Sequence, residues 1–427
     1  MIAIGRLPFE IIVQILREFV NQSEKNLDHY ESAAREPYLR RSSYTELIKL
    51  RLVSKMWSNA VIPFYFETIS IDNSKYANLI LDNWNDGFFG SNFHCPVKRL
   101  TIGRLSLPKE VVQEEEEVDC KKWKEDAAER ANLVTVNQVA RLIELLGINL
   151  KTLNITFFCS MGVSHELVEA CKTIRELKSI SILFDCIDVD NEPINVDTGP
   201  IDVDSISRLL SALPRIESLY FGINCVEPMS LEPPALQNLR HYSFMLEWVC
   251  LEGICHIIQT SKTTLKIIEL LSGSEPTEGV ERVFEPIKDT LEGLFTSTSA
   301  DQIIEHVTEW DFPNLRVIRT HYPPEEVETE IYWLQDPILK NVRTIVTDLD
   351  CSEEYWIVAL ELAGVDALKG APNFKHIVFT KSEHSKSQEI DPELVKAFKS
   401  HGVQCHFSHE LTPDECMELD YQLNGPM

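Results

Sequence analysis

Side chains with chemistry to offer are common in this chain, but few stand in the patterns that chemistry requires. His401, Cys405, His406 and His409 crowd together near the C-terminus. Such a set of soft ligands could hold a transition metal. The same residues fit a terminal helix–strand unit, Pro392 to Phe407, with Cys405 and Phe407 on one strand face and His406 on the other. Clustering alone is weak support for a metal, so none is expected. His165-Glu166 is followed by Glu169, not by the second histidine a zinc-protease helix needs. With 67 Asp and Glu residues, pairs such as Glu325-Glu326 and Glu353-Glu354 arise from composition and imply no acid–base dyad. A phosphate-binding G-x-x-x-x-G-K-S/T loop, a dinucleotide-binding G-x-G-x-x-G turn and a G-x-S-x-G nucleophile elbow are all absent from the sequence. The expectation is a protein with no catalytic residues, no metal and no cofactor.

Composition narrows the class further. At 427 residues the chain exceeds what one core usually organises, so two or more units are expected. Hydrophobic residues make up 44%, enough to build cores. Eleven cysteines form no C-x-x-C pair and are odd in number, which fits buried thiols in a reducing compartment better than a disulfide framework. Asn154-Ile155-Thr156 spells a glycosylation acceptor, but nothing else points to secretion. Glu10, Arg17 and Glu18 interrupt the apolar N-terminus, which argues against a signal peptide. No uncharged apolar run reaches membrane-spanning length. Cytoplasm or nucleus, with no membrane partner, is the expectation.

Charge divides the chain. Net charge is −27 overall, yet residues 1–71 hold nine Lys/Arg against eight Asp/Glu. The remainder holds 31 against 59, a net of −28. So acidic a body repels phosphate backbones and argues against nucleic-acid binding. A near-neutral front suits a different partner.

That front has a helical pattern. Leu7-Pro8-Phe9-Glu10-Ile11-Ile12-Val13-Gln14-Ile15-Leu16 predicts a helix with Pro8 at its first position and Glu10 complementing the dipole. Ile11, Ile12, Ile15, Leu16 and Phe19 recur at helical spacing. A second helix is predicted from about Thr45, with Ser43 and Glu46 spaced as a capping box and Pro63 limiting its end. Leu47, Leu50, Val53, Trp57, Ala60 and Val61 share its face. A module this small cannot bury Leu7, Pro8, Ile11, Ile15, Leu50, Val53 and Trp57 all against itself, and an exposed apolar surplus points to a partner.

Together these residues resemble the F-box family. Its pattern of Leu-Pro-x-Glu, an Ile-Leu pair and then Leu-x-x-Val-Ser-x-x-Trp is met by Leu7, Pro8, Glu10, Ile15, Leu16, Leu50, Val53, Ser54 and Trp57. Pro63 to Ile69 looks like the exit from fungal F-boxes into a repeat domain. The insert at about 21–44 is longer than the family's usual connection. A loop of that length adds little closure entropy, so the helices can still pair.

After a turn-rich connector at 72–96, a unit recurs from Val97 to about residue 410: an apolar residue, two variable ones, an apolar residue, one variable and usually another apolar one. Val97/Leu100/Ile102, Leu150/Leu153/Ile155, Leu177/Ile180/Ile182, Ile216/Leu219/Phe221 and Leu239/Tyr242/Phe244 follow it. So do Leu265/Ile268/Leu270, Leu291/Leu294, Leu315/Ile318, Val342/Ile345 and Phe374/Ile377/Phe379. The spacing centres near 26, except for one gap of 53 that reads as two periods with a unit disrupted. Helical patterns lie between, as at Asp204 to Leu213 with Asp204 as N-cap and Pro214 beyond. The expected architecture is a small all-α module followed by an α/β leucine-rich-repeat-like solenoid of irregular repeats. An irregular α/β domain rich in amphipathic strands is the alternative. An acidic insert at 108–130 and a tail at 411–427 complete the division.

The resemblance implies a substrate-recognition subunit of a Skp–cullin–F-box ubiquitin ligase, itself without bond chemistry. Its F-box would bind the Skp adaptor, and through it a cullin, using Leu7, Pro8, Glu10, Ile11, Ile15, Leu16, Leu50, Val53 and Trp57. The repeats would bind a protein substrate. The competing reading is a ligase-independent scaffold whose helical front is a structural cap.

Overall fold

The computed structural model describes residues 7–22, 25–26, 38–39, 41–84, 95–106, 132–158, 162–185, 202–222, 228–245, 251–271, 279–297, 306–307, 310–320, 334–364, 368–381 and 390–426. The chain divides into two units, one of residues 1–216 with 230–235 and one of 217–229 with 236–427. The division falls inside the repeats, not at residue 71 or 97.

The first unit opens with helix α1, Phe9–Gln22. Lys25–Asn26 (β1) pairs antiparallel with Tyr38–Leu39 (β2) and brings the two ends of the insert together. Helix α2, Arg41–Lys49, leads into a 3-10 turn at Leu50–Leu52, and α3 runs Lys55–Tyr65. The single helix expected from Thr45 is therefore two. The break is local chemistry: Ser54 is extended and its Oγ accepts the Trp57 N–H at 3.3 Å, starting a new helix. Because α2 begins at Arg41, Ser43 lies within it and caps nothing, while Glu46 pairs with Lys49. Pro63 sits inside α3, which continues to Tyr65.

Thr68–Ile71 (β3) then begins a parallel sheet. Helix α4, Ser74–Asn83, capped by Asn73, occupies much of the expected connector, so that stretch is not simply turns. It is followed by β4 (Arg99–Ser106), β5 (Val134–Thr135), α5 (Val136–Leu146), β6 (Thr152–Phe158), α6 (His165–Lys172), β7 (Ser179–Asp185) and α7 (Val203–Ser211). Strand order is β3-β4-β6-β7, with β5 set against the end of β4. Because β4 and β6 pair directly, the gap of 53 is one repeat carrying an insertion, not two repeats. The acidic insert itself lies outside the described residues. Helix α7 is capped by Asp202, not Asp204: the Asp202 carboxylate accepts the Ser205 N–H at 3.0 Å.

The second unit is a run of parallel strands in chain order: β8 (Ser218–Gly222), β9 (His241–Met245), β10 (Ile267–Leu271), β11 (Gly293–Thr296), β12 (Val317–Thr320), β13 (Thr344–Asp348), β14 (His376–Lys381) and β15 (Gln404–His409). Connecting helices are α8 (Glu252–Ser261), α9 (Glu281–Phe284), α10 (Leu349–Ala363) and α11 (Pro392–Ser400). The expected tail is instead helix α12, Pro413–Asn424.

The strand register explains the repeat. Its middle apolar residues stack across strands, Leu100 to Leu153 to Ile180 in the first unit. In the second they run Leu219, Tyr242, Ile268, Leu294, Ile318, Ile345, Ile377. All are buried, as are the first residues of every repeat. Within each unit every period places one rung of the core, the arrangement of a parallel α/β repeat.

A second regularity holds the rungs in line. The residue just before the first apolar position donates to a carbonyl of the preceding repeat: Asn149 Nδ2 to Cys95 O (2.7 Å), Asn314 to Asp289 O (2.6 Å), Asn341 to Phe312 O (3.2 Å) and Asn373 to Lys340 O (2.8 Å). Thr290 Oγ1 does the same toward Lys262 O at 3.0 Å. Side-chain amides satisfy carbonyls that the ladder leaves over.

Candidate functional site

The helical front builds a core of its own. Ile12 and Leu16 from α1 meet Leu47 from α2 and Trp57, Ala60 and Val61 from α3, with Leu7, Val13, Phe19, Leu50, Phe64 and Tyr65 packed at the margin. All of these lie within residues 7–65, so the module closes without borrowing from the sheet. The first helical bond runs from the Ile12 N–H to the Pro8 carbonyl at 3.1 Å, placing Pro8 at the cap, one position earlier than expected.

What the core leaves over is the site. Phe9, Ile11 and Ile15 on α1, Ile48 on α2, Leu52 and Val53 at the turn and Met56 on α3 are exposed, Leu52 to 88%. These are seven of the thirteen large hydrophobic side chains exposed among the described residues, gathered in one short module. Ile11 and Ile15 lie one turn apart on the same side of α1.

The expected residues divide accordingly. Pro8, Glu10, Ile11, Ile15 and Val53 are exposed, and Leu7 and Leu50 are half-buried against the core. Leu16 and Trp57 are buried and offer no surface. Their spacing marked them correctly as a stripe, but that stripe faces inward. Phe9, Ile48, Leu52 and Met56 join the exposed set without belonging to the expected one. The signal available for them is an apolar residue off the buried stripe of an otherwise amphipathic helix.

Elsewhere among the described residues, several chemistry-bearing groups are engaged in packing and hydrogen bonds. Among the described residues no three His, Cys, Asp or Glu side chains assemble to hold a metal. His406 Nε2 instead meets His376 Nδ1 on the neighbouring strand at 3.0 Å, while Phe407 stacks on Phe379 from the other strand face. Burial lowers the pKa of both histidines, and for His376 the neighbouring His406 lowers it further. Burial also pushes the Cys171 and Cys416 thiols up to about 12 and Cys405 to about 11, so none of the three is a ready thiolate. Ser218, His241 and Glu269 line up on β8, β9 and β10, with Ser218 Oγ 2.9 Å from His241 Nδ1 and His241 Nε2 3.4 Å from Glu269. The imidazole and carboxylate are both buried, and the hydrogen bond between Ser218 and His241 ties β8 to β9. No helix among the described residues is long and apolar enough to cross a membrane.

No protein-family model matches this chain, and no curated protein matches it. Among solved structures it is similar to the crystal structure of the Rad7 and Elc1 complex in yeast, with a TM-score of 0.30 and 13% identity over 93% of this chain and 94% of that one. A likeness of that size carries neither function nor partner across.

Proposed function

We propose that this protein is a substrate receptor of a Skp–cullin–F-box ubiquitin ligase, docking the Skp adaptor through its N-terminal helices. The observation that carries the reading is the gathering of exposed apolar side chains on a module whose own core is already closed. A mere cap on the sheet would turn that surplus inward. Fully covering a large apolar side chain is worth ~1.5–3 kcal/mol, and those already half covered return about half of that. Association itself costs about 4–15 kcal/mol, so the surface must be engaged as a whole, not through one anchor.

In this reading the receptor makes and breaks no bonds. It raises the local concentration of a substrate lysine beside activated ubiquitin, which another subunit supplies. The repeats select the substrate, and their average charge favours a basic surface on it.

The test is binding of the purified chain to a Skp adaptor. A micromolar or tighter complex is expected, lost in a Leu52→Asp, Val53→Asp double variant that keeps its melting temperature. A Leu7→Ala, Pro8→Ala double variant should weaken it. If the folded wild-type chain fails to bind, the ligase reading is wrong and the scaffold reading takes its place.

A further inference from the structure

The C-terminal residues do something neither the repeats nor the helical front requires. Helix α12 lies across one face of the second unit's sheet. Beneath it Ile267, Phe295, Val317, Val346 and Val378 form an apolar stripe, one residue from each of β10 to β14, and Cys416 and Met417 close onto it. Gly293 makes room, because a Cβ there would stand 2.8 Å from Met417 Sδ.

One turn further along, Asp420 is fully buried. Its carboxylate accepts from Arg316 Nη1 at 2.6 Å, Arg343 Nη2 at 2.5 Å, Thr344 Oγ1 at 2.8 Å and Asn424 Nδ2 at 3.0 Å. The same arginines reach backbone oxygens of the segment: Arg316 to Met417 O at 3.3 Å and Arg343 to Gly425 O at 3.2 Å. Arg319 adds Leu411 O at 3.1 Å and Glu410 at 3.6 Å. In a chain of net charge −27, Arg316 just before β12, Arg319 within it and Arg343 just before β13 all reach one acidic segment. The average charge does not describe this face.

The helix is also self-contained. Thr412 and Glu415 form a capping box at its start, and Gly425, with φ of 74°, ends it. It holds no basic residue, and Asp414, Glu415 and Glu418 face solvent. On undocking Arg316 keeps Glu292 at 3.3 Å, and Arg343, Thr344 and Asp420 would meet water, so the cost of release is mainly the uncovered apolar stripe.

We propose that this face is a helix-binding groove, that the C-terminal helix is its resident occupant, and that an acidic amphipathic helix of a partner protein takes its place. The recognised helix presents two adjacent apolar side chains to the stripe and a carboxylate one turn later to Arg316 and Arg343. This goes beyond the ligase reading and does not depend on it, since the groove is tested without the adaptor.

The experiment uses the full chain and a labelled synthetic peptide of residues 410–426. In hydrogen exchange, amides of α12 should exchange at least tenfold faster than those of β11 to β13, marking release of the helix alone. The peptide should bind an Asp420→Ala chain at least tenfold more tightly than the wild type, and a peptide carrying the same substitution should bind neither. Should Asp420→Ala fail to fold, Asp420→Asn, which keeps the hydrogen bond from Thr344, replaces it. Opening of helix and strands together, or no preference of the peptide for the folded variant, overturns the proposal.

Discussion

The helical front leaves Ile11, Ile15, Leu52, Val53 and Met56 facing solvent, whereas the second unit hides Ile267, Phe295, Val317, Val346 and Val378 under its own C-terminal helix. The side chains are of the same kinds, but the settings differ. The covered stripe is flanked by a buried carboxylate gripped by two guanidinium groups, a fixed polar anchor that sets where the helix sits. The uncovered one is flanked by Glu10, Arg51 and Lys55, all exposed. One surface carries a fixed pattern of charge beside its apolar stripe, and the other offers apolar area alone. The lesson is that apolar exposure has to be judged after the chain's own segments have been placed.

The sharpest way to test that contrast is to damage what lies beneath each surface. Trp57→Ala removes the largest ring of the front's core and should cost about 3–5 kcal/mol by denaturant unfolding. A loss under about 1 kcal/mol would mean the ring is surface after all. Asp420→Ala takes the carboxylate from between two arginines and should cost about 3 kcal/mol, the lower end for a broken buried pair because Arg316 retains Glu292. Ser54→Ala removes the cap that separates α2 from α3 and should cost about 1 kcal/mol. Leu52→Asp should change stability by no more than about 0.5 kcal/mol, because the side chain already lies in solvent. A larger loss would erase the difference between the two surfaces.

The mildest effect concerns pH. His376 and His406 have lowered pKa values, by burial first, with Lys375 adding to His376 and Asp420 opposing. A folded value below the unfolded one means that stability holds above about 6.5 and falls as pH drops through the folded values. Thermal unfolding should move to lower temperature between pH 7 and pH 5, and His406→Asn should flatten that dependence.

Much of this was legible in the sequence. The stacked residues from Leu100 to Ile377 fell where the period placed them, because a buried rung tolerates only apolar side chains. Three things escaped. The break at Ser54 was hidden because 47, 50, 53, 57 and 60 run on at helical spacing straight through it. The asparagines at 149, 314, 341 and 373 stand one residue before the repeat's first apolar position, and their role shows only once the carbonyls they bond are placed. Helix α12 reads as a tail in the sequence because its polar composition conceals that Cys416, Met417 and Asp420 turn inward together. A buried aspartate is visible only once its arginines, 77 and 104 residues earlier, are in place.

Those separations also bear on how the chain comes into being. Neighbouring strands close over short stretches, so each repeat can settle on the edge left by the one before it as synthesis proceeds. The C-terminal helix has no such neighbour. Its landing ground is laid down long before it leaves the ribosome, and until its last turn emerges three arginines and a row of valines wait uncovered. In that interval the nascent protein presents to its surroundings a surface that its own last helix later covers.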